Sequence, residues 1–456
     1  MATWPVISQF IKHCIYLVFF SVFRCCQLTY WRLTGIQSHL DSCRSGRNHA
    51  ASAQLLKVWF RSTGRRININ LQHHFLSTHV RFVHPEYALQ EHVTLMTVTD
   101  KEAIFSISAA TDNVFDVKKW PLVNLGLLHS AKYLLVMPLS SLIKLGEDLG
   151  DPKVKVVWLY NTSRCGGTAL MQAFNSLPDV VAISGPKCMI SLDLAFKRKL
   201  LKGKYKHYVN SNEYRRIYGN IVRLLLKPSQ KEANVVAVRS HGQMSKTDLQ
   251  LIPNLFPQFS GIFMYRNAAE QISSLYRVTH GFDLHSDCAL TVIKHPWLSA
   301  LLPNVWPLNL LYIVCNDPQH LQHLFKRESI RKLDNFGIAA IQFCETCFHY
   351  KAVVAKGAPI TAFKYEHFLA DKLGFCEALF HHAGMELTAK RRELIAEAWN
   401  DDSHKSTPLN RDLFKHIKMK ITDEMVQNAN SFLQYYDLPG WNETTSLPNT
   451  VQYSSQ

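Results

Sequence analysis

From residue 154 onward the chain alternates short apolar runs with helix-forming stretches, and each run closes on a polar or charged cluster. Val154, Val156, Val157 and Leu159 make a β-branched strand of the kind covered on both faces in a parallel sheet. It runs into a turn holding Arg164, Gly166, Gly167 and Thr168, and then into a helix. Residues 233–246, ANVVAVRSHGQMSK, give a second strand ending in Arg239, Ser240 and His241. Residues 261–277, GIFMYRNAAEQISSLYR, give a third that ends in Arg266, with Ser274 on the following helix. Residues 358–371, APITAFKYEHFLAD, give a fourth ending in Tyr365 and Glu366. Strands alternating with helices in this way predict a doubly wound α/β domain with a parallel sheet, whose ligands bind outside the carboxyl ends of the strands. That edge collects Arg164, His241 and Arg266.

The segments before residue 151 read differently. HVTLMTVT and AIFSIS predict paired strands, and residues 122–150 mix apolar runs before a Gly-Asp-Pro stop. The expected organisation is a basic targeting and linker region over 1–85, a small α+β extension packed on the main domain over 86–150, the main domain over 151–441 and a flexible tail over 442–456. Between 278 and 350 the pattern turns helical, with HPW and LPNVWPL interruptions; Trp297 and Trp306 there are core residues by default.

The turn after the first strand has the chemistry of an anion cradle. Gly166 and Gly167 let the backbone turn tightly and bring its N–H groups close to an anion, while the helix that follows aims its positive end at the same point. Thr168 adds a hydroxyl and Arg164 a planar, permanently charged fork. Cys165 lies within the turn, where amides and Arg164 act to lower its pKa. No lysine precedes Thr168, so the G-x-x-x-x-G-K-[ST] loop of nucleoside triphosphatases is absent. Close packing of a helix on a sheet is the alternative explanation of the glycines.

These four segments together resemble the sulfotransferases that use 3′-phosphoadenosine 5′-phosphosulfate (PAPS). SRCGGTALMQAFNSLPDV is similar to the family's 5′-phosphosulfate loop, in the form that carries arginine in place of lysine. YRNAAEQISSLYR resembles its 3′-phosphate motif, with Arg266 and Ser274 at the phosphate-binding positions. FKYEHFLAD resembles its Tyr-Glu strand end, and DSHKSTPLNR a carboxy-terminal loop of some members. The resemblance spans about residues 151–441 and implies a P-loop fold, PAPS as donor, no metal, and a hydroxylated acceptor on a carbohydrate, protein or small molecule. It implies that Arg164, Cys165, Gly166, Gly167 and Thr168 hold the 5′-phosphosulfate, with Arg164 also stabilising the transferred group. Arg266 and Ser274 then hold the 3′-phosphate, and Lys405 and Arg411 close over it. His241 matches the histidine that serves as general base in the cytosolic branch. In other branches a glutamate before a proline does so, and Gly185 of ISGPKCM stands in its place. Two other functions remain open: a non-catalytic nucleotide-binding protein, and a P-loop kinase, which requires a lysine before Thr168 and a strand-end carboxylate for Mg²⁺.

Composition sets the frame. The chain has 456 residues, 47% of them hydrophobic, and a formal net charge of +16, which suits acidic ligands. Nucleic acid is not expected as a partner, because zinc spacings, RNA-binding aromatic motifs and basic heptads are missing. Residues 1–85 carry ten Lys and Arg against the single acid Asp41, for +9. Within them, CIYLVFFSVF at 14–23 is a short apolar run; extended to residues 4–23 it predicts membrane contact as a single-pass anchor, which implies a Golgi location. A mitochondrial transit peptide or a cytoplasmic location are the alternatives. Cys344 and Cys347 make a C-x-x-C inside an apolar helical pattern, which reads as a core helix.

Overall fold

The computed structural model describes residues 4–62, 74–201, 208–227, 233–242, 244–281, 334–400, 402–404 and 419–452. The chain divides into two compact units. The first comprises Met1–Asp116, Leu122–Lys153 and Pro186–Glu232; the second comprises Val117–Pro121, Val154–Gly185 and Ala233–Gln456.

The first unit is built on a five-stranded antiparallel sheet. Its strands are β1 (Ala53–Arg61), β2 (Phe75–Val83), β3 (Val93–Val98), β4 (Glu102–Ile107) and β5 (Tyr133–Pro138), in the order β2-β1-β5-β4-β3. Six helices belong to the same unit: α1 (Trp4–Leu33), α2 (Ile36–Arg44), α3 (Val123–Ser130), α4 (Leu139–Leu149), α6 (Cys188–Leu201) and α7 (Asn212–Leu225). Just beyond α7, the buried Lys227 ammonium donates to the carbonyls of Ala88, Gln90 and Val93, tying the entry of β3 to the end of that helix.

Two features of this unit differ from the sequence expectation. Strands β1 and β2 fall in the segment read as targeting region and linker. In β1, Leu55 and Leu56 are buried while Lys57, Trp59 and Phe60 are exposed, so the strand lacks the alternation that announces one. The single-pass anchor over residues 4–23 is not supported either. They form the first part of α1, but no helix among the described residues is long and apolar enough to cross a membrane. Ser8, Gln9, Lys12, Ser21 and Arg24 interrupt the run.

The second unit confirms the predicted doubly wound α/β class. Strands β6 (Lys155–Asn161), β7 (Val180–Ser184), β8 (Val235–Arg239), β9 (Ser260–Tyr265) and β10 (Ile360–Lys364) form a five-stranded sheet, all parallel, in the order β10-β9-β6-β8-β7. The strand that comes first in the chain thus lies in the middle, so the chain leaves it towards one edge and later crosses to the other. The carboxyl end of β6 is the switch point where such sheets bind ligands. Both faces of the sheet are covered. Val157 and Leu159 pack with helices α5 (Gly167–Asn175) and α12 (Lys372–His382), where Phe174 and Phe380 stack with ring centroids 4.7 Å apart. On the other face, Phe263 of β9 stacks at 4.2 Å on Tyr350 of α10 (Asn335–Ala355). Helices α8 (Ser245–Leu255) and α9 (Ala268–Gly281) carry the segments after β8 and β9. Tyr365 and Glu366 do not end the fourth strand but open a short helix, α11 (Tyr365–Ala370). Cys344 and Cys347 are fully buried in α10, as a core helix requires.

Candidate anion site at the switch point

The loop from β6 to α5 has an unusual backbone. Ser163, Arg164 and Gly166 have φ of 65°, 53° and 78°. Left-handed conformations cost non-glycine residues energy and persist only where surrounding structure enforces them. Here polar side chains do so. Buried Asn161 accepts from the Ser163 amide at 2.9 Å, and its own amide group donates to Ser240 O at 2.8 Å. Gln342 of α10 donates to Ser163 Oγ at 3.1 Å, and Thr162 N bonds Met264 O at 3.1 Å. The ends of β6, β8 and β9 are thereby fastened to one loop. Successive backbone N–H groups in a turn of this kind form an anion-binding concavity. Helix α5 begins at Gly167 with Gly166 as its N-cap, and no side chain caps it.

Both glycines are required by what lies against them. A Cβ on Gly166 would come within 2.3 Å of the Tyr365 ring, and one on Gly167 within 2.9 Å of Arg239 Cδ. The loop is therefore roofed by an aromatic ring and flanked by a guanidinium.

Arginines converge on this loop. Arg164 Nε donates to Ser274 Oγ at 3.1 Å, which joins the loop to α9. The Arg266 guanidinium lies 5.1 Å from the centroid of the Tyr365 ring, in cation–π range. Arg239 donates to Ser184 Oγ at 3.1 Å. Burial lowers the pKa of Arg164, and the neighbouring charges of Arg266 and Arg277 add to the effect against the pull of Tyr365. Burial lowers Arg239 to about 10. The Nε atoms of Arg239 and Arg266 are buried without a hydrogen bond among the described residues. Glu366 Oε1 lies 3.8 Å from Arg266 Nε, but it already accepts from the Asn267 amide at 3.1 Å, which makes Glu366 an anchor of the strand end. Desolvated cations with orphaned donors are stabilised by an anion of matching geometry. The donor set fits a phosphate or sulfate group.

Of the residues singled out from sequence, Arg164, Cys165, Gly166, Gly167, Thr168, Arg266 and Ser274 lie in this neighbourhood. Cys165 acts as a small buried side chain and not as a thiol with a lowered pKa. It is fully buried, and burial raises its pKa to about 11, outweighing the lowering by Arg239 and the local hydrogen bonds. It is a neutral, small side chain that donates to Met264 O at 3.4 Å. His241 follows Ser240, and its carbonyl accepts from Met244 N at 2.6 Å. The next residue, Gly242, sits so close to the loop that a Cβ there would lie 1.6 Å from Ser163 Oγ. Gly185 has φ of 63°, and its amide bonds Arg239 O at 3.0 Å, so a glutamate in its place would be strained. Lys405 and Arg411 lie outside the described residues, as do Trp297 and Trp306.

Sequence reasoning missed Arg239 as a candidate anion ligand, because it was read only as the end of a strand. It also missed Lys246 and Glu345, which form an ion pair at 2.5 Å with both side chains 1% exposed. This pair joins α8 to α10 beside two attachments of the loop, the Asn161 backbone N–H to Ser245 Oγ and the Gln342 side chain to Ser163 Oγ. A polar pair in a run that reads as apolar leaves no periodic signal. Among the described residues no group of three His, Cys, Asp or Glu side chains forms a metal site.

No family model matches the chain, and no curated protein matches it. Solved structures do. The sulfotransferase STF9 from Mycobacterium avium is similar at 10% identity, over 67% of this chain and 83% of that one, with a TM-score of 0.35. The sulfotransferase domain of the curacin biosynthetic pathway gives 10% identity, 63% and 99% coverage and a TM-score of 0.34. The sulfotransferase domain of the Synechococcus PCC 7002 olefin synthase gives 11%, 63%, 97% and 0.33. Likeness at this level adds nothing to the assignment of substrate or residues.

Proposed function

We propose that this chain transfers a sulfuryl group from PAPS to a hydroxylated acceptor. The observation that supports this reading best is the hydrogen bond from Arg164 to Ser274, set among the guanidiniums of Arg239 and Arg266. It joins the two segments whose sequences resemble a 5′-phosphosulfate loop and a 3′-phosphate motif. When bound, PAPS supplies an activated sulfuryl group, and its transfer forms a bond from the acceptor oxygen to sulfur as the bond from sulfur to the 5′-phosphate breaks. The chain's part is positioning and charge. The Gly167 and Thr168 amides, Arg164 and Arg239 stabilise the negative charge that builds on the transferred group and the leaving phosphate. Arg266 and Ser274 hold the 3′-phosphate, and the Tyr365 ring keeps the Arg266 fork oriented. His241 takes the acceptor proton.

A non-catalytic nucleotide-binding protein is the second reading, favoured by the left-handed glycine at position 185 where other branches carry the base. One pair of measurements separates the two. Calorimetric titration of the full chain with 3′-phosphoadenosine 5′-phosphate, in chelator, is expected to show saturable binding that Arg266→Ala weakens about 30-fold or more. Absence of binding by folded protein sinks both readings. Binding without transfer of labelled sulfate to any of a panel of alcohols and sugars leaves the second.

A further inference from the structure

The arginines around the β6–α5 loop do not all meet the same surroundings. The charges that bear on Arg164 are those of Tyr365, Arg266, Cys165 and Arg277, and those that bear on Arg239 are Cys165 and Arg164; no carboxylate is among them. Arg266 differs. Glu366 Oε1 lies 3.8 Å from its Nε, within ion-pair range. Both side chains stay partly open to solvent, at 22% and 29%, so an arriving anion reaches the guanidinium with the carboxylate at its side.

Glu366 is held where it stands. Its Oε1 accepts from the Asn267 backbone N–H at 3.1 Å, on the turn between β9 and α9. Asn267 Oδ1 in turn accepts from Thr445 N at 3.1 Å, and Thr445 Oγ1 accepts from Ala268 N at 3.2 Å, so the turn is itself tied down. The Tyr365 ring, 5.1 Å from the guanidinium, steadies Arg266 on another side. The two charges are thus fixed side by side without the hydrogen bond that would join them: Arg266 Nε and Glu366 Oε2 both go without one among the described residues. A fixed negative charge a few ångströms from a binding cation offsets part of its attraction for any anion, and the offset doubles for a dianion.

We propose that Glu366 sets how strongly the Arg266 end of the site holds its anion, making it the weaker and more readily exchanged end, while Arg164 and Arg239 form the retentive one. Glu366 is thereby a specificity-determining residue that takes no proton and touches no reacting atom. This rests on the reading that Arg266 meets the 3′-phosphate. Its consequence for turnover is release, because a spent nucleotide leaves a counter-charged arginine faster than a bare one.

The test is calorimetric titration of the full chain, wild type beside Glu366→Gln, with 3′-phosphoadenosine 5′-phosphate and with adenosine 5′-phosphate, which lacks the 3′ group. Glutamine keeps an oxygen for the Asn267 N–H and removes only the charge, so the thermal midpoint is expected to stay within about 3 °C. The variant is expected to bind the bisphosphate about tenfold more tightly than wild type, and the monophosphate within about twofold. The gain should shrink at about 0.5 M salt, and it should grow as pH rises through about 6, where a phosphate monoester takes its second charge. Equal or weaker bisphosphate binding by the variant overturns the proposal. So does an equal gain for both nucleotides, which would place the effect away from Arg266. If wild type binds neither nucleotide, the reading of the site as a PAPS site fails, and inorganic sulfate decides this inference separately. A larger rise of the thermal midpoint with sulfate in Glu366→Gln than in wild type upholds it, and an equal rise overturns it.

Discussion

The two units break the usual partition of polar and apolar groups in opposite directions. The second unit buries charge: Lys246 and Glu345 are 1% exposed, and Arg164 and Arg239 beside the β6–α5 loop are desolvated enough to lower their pKa values. The first unit exposes hydrocarbon: an apolar stripe on α1 and two aromatic residues on β1 face outward. Each violation costs free energy in isolation. A cluster of buried cations fits an anion, whereas an exposed apolar face fits a surface that covers it.

The sharpest way to break the contrast is to remove one partner of the buried pair. Glu345→Ala leaves the Lys246 ammonium without its carboxylate and is expected to cost about 3–5 kcal/mol in urea denaturation. Lys246→Met combined with Glu345→Met should cost less than the single alanine change. If Glu345→Ala costs no more than the exposed Val18→Asp change, charge burial in the second unit is not structurally demanding and the contrast dissolves.

A smaller effect is expected at the loop. Gly166→Ala combines a φ of 78° with a Cβ 2.3 Å from the Tyr365 ring. The predicted loss is about 1–3 kcal/mol of stability, together with weaker nucleotide binding as Tyr365 and the stacked Arg266 are displaced. Unchanged affinity in the calorimeter would separate the ring from the anion site.

The smallest effect is confined to alkaline pH. Burial raises Cys165 from an ordinary 9.0 to about 11, so the folded state holds its proton where the unfolded chain has lost it. The stability this supplies is complete below pH 9 and disappears as pH rises through about 11. Alkylation of Cys165 in the native protein should accordingly be negligible at neutral pH. Cys165→Ser should keep nucleotide affinity within about threefold and flatten the alkaline end of the stability profile. Rapid native alkylation at neutral pH would contradict the burial argument.

The parallel sheet was legible in the sequence because strands covered on both faces are written as continuous apolar runs that close on polar or charged residues. The loop itself was legible in its glycines and in Arg164, since turn chemistry is local. What enforces the loop was not: Asn161, Gln342 and the Lys246–Glu345 pair act across separations of 79 to 179 residues, and no local pattern encodes that. Arg239 was overlooked for the same reason, because its meaning comes from Gly167 and Ser184 alongside it. In the first unit the apolar run at 14–23 was read along its length, as a span. Its significance lies around its circumference, as a stripe that continues to Leu33.

The Asn161 side chain has a further consequence. By accepting from Ser163 and donating to Ser240, it makes one amide serve as the joint between two stretches of chain that are far apart in sequence. Gly242, which admits no Cβ against Ser163, leaves that joint no room to adjust. Asn161, Ser163, Ser240 and Gly242 therefore act as one mechanical unit, in which a side chain added at Gly242 displaces Ser163.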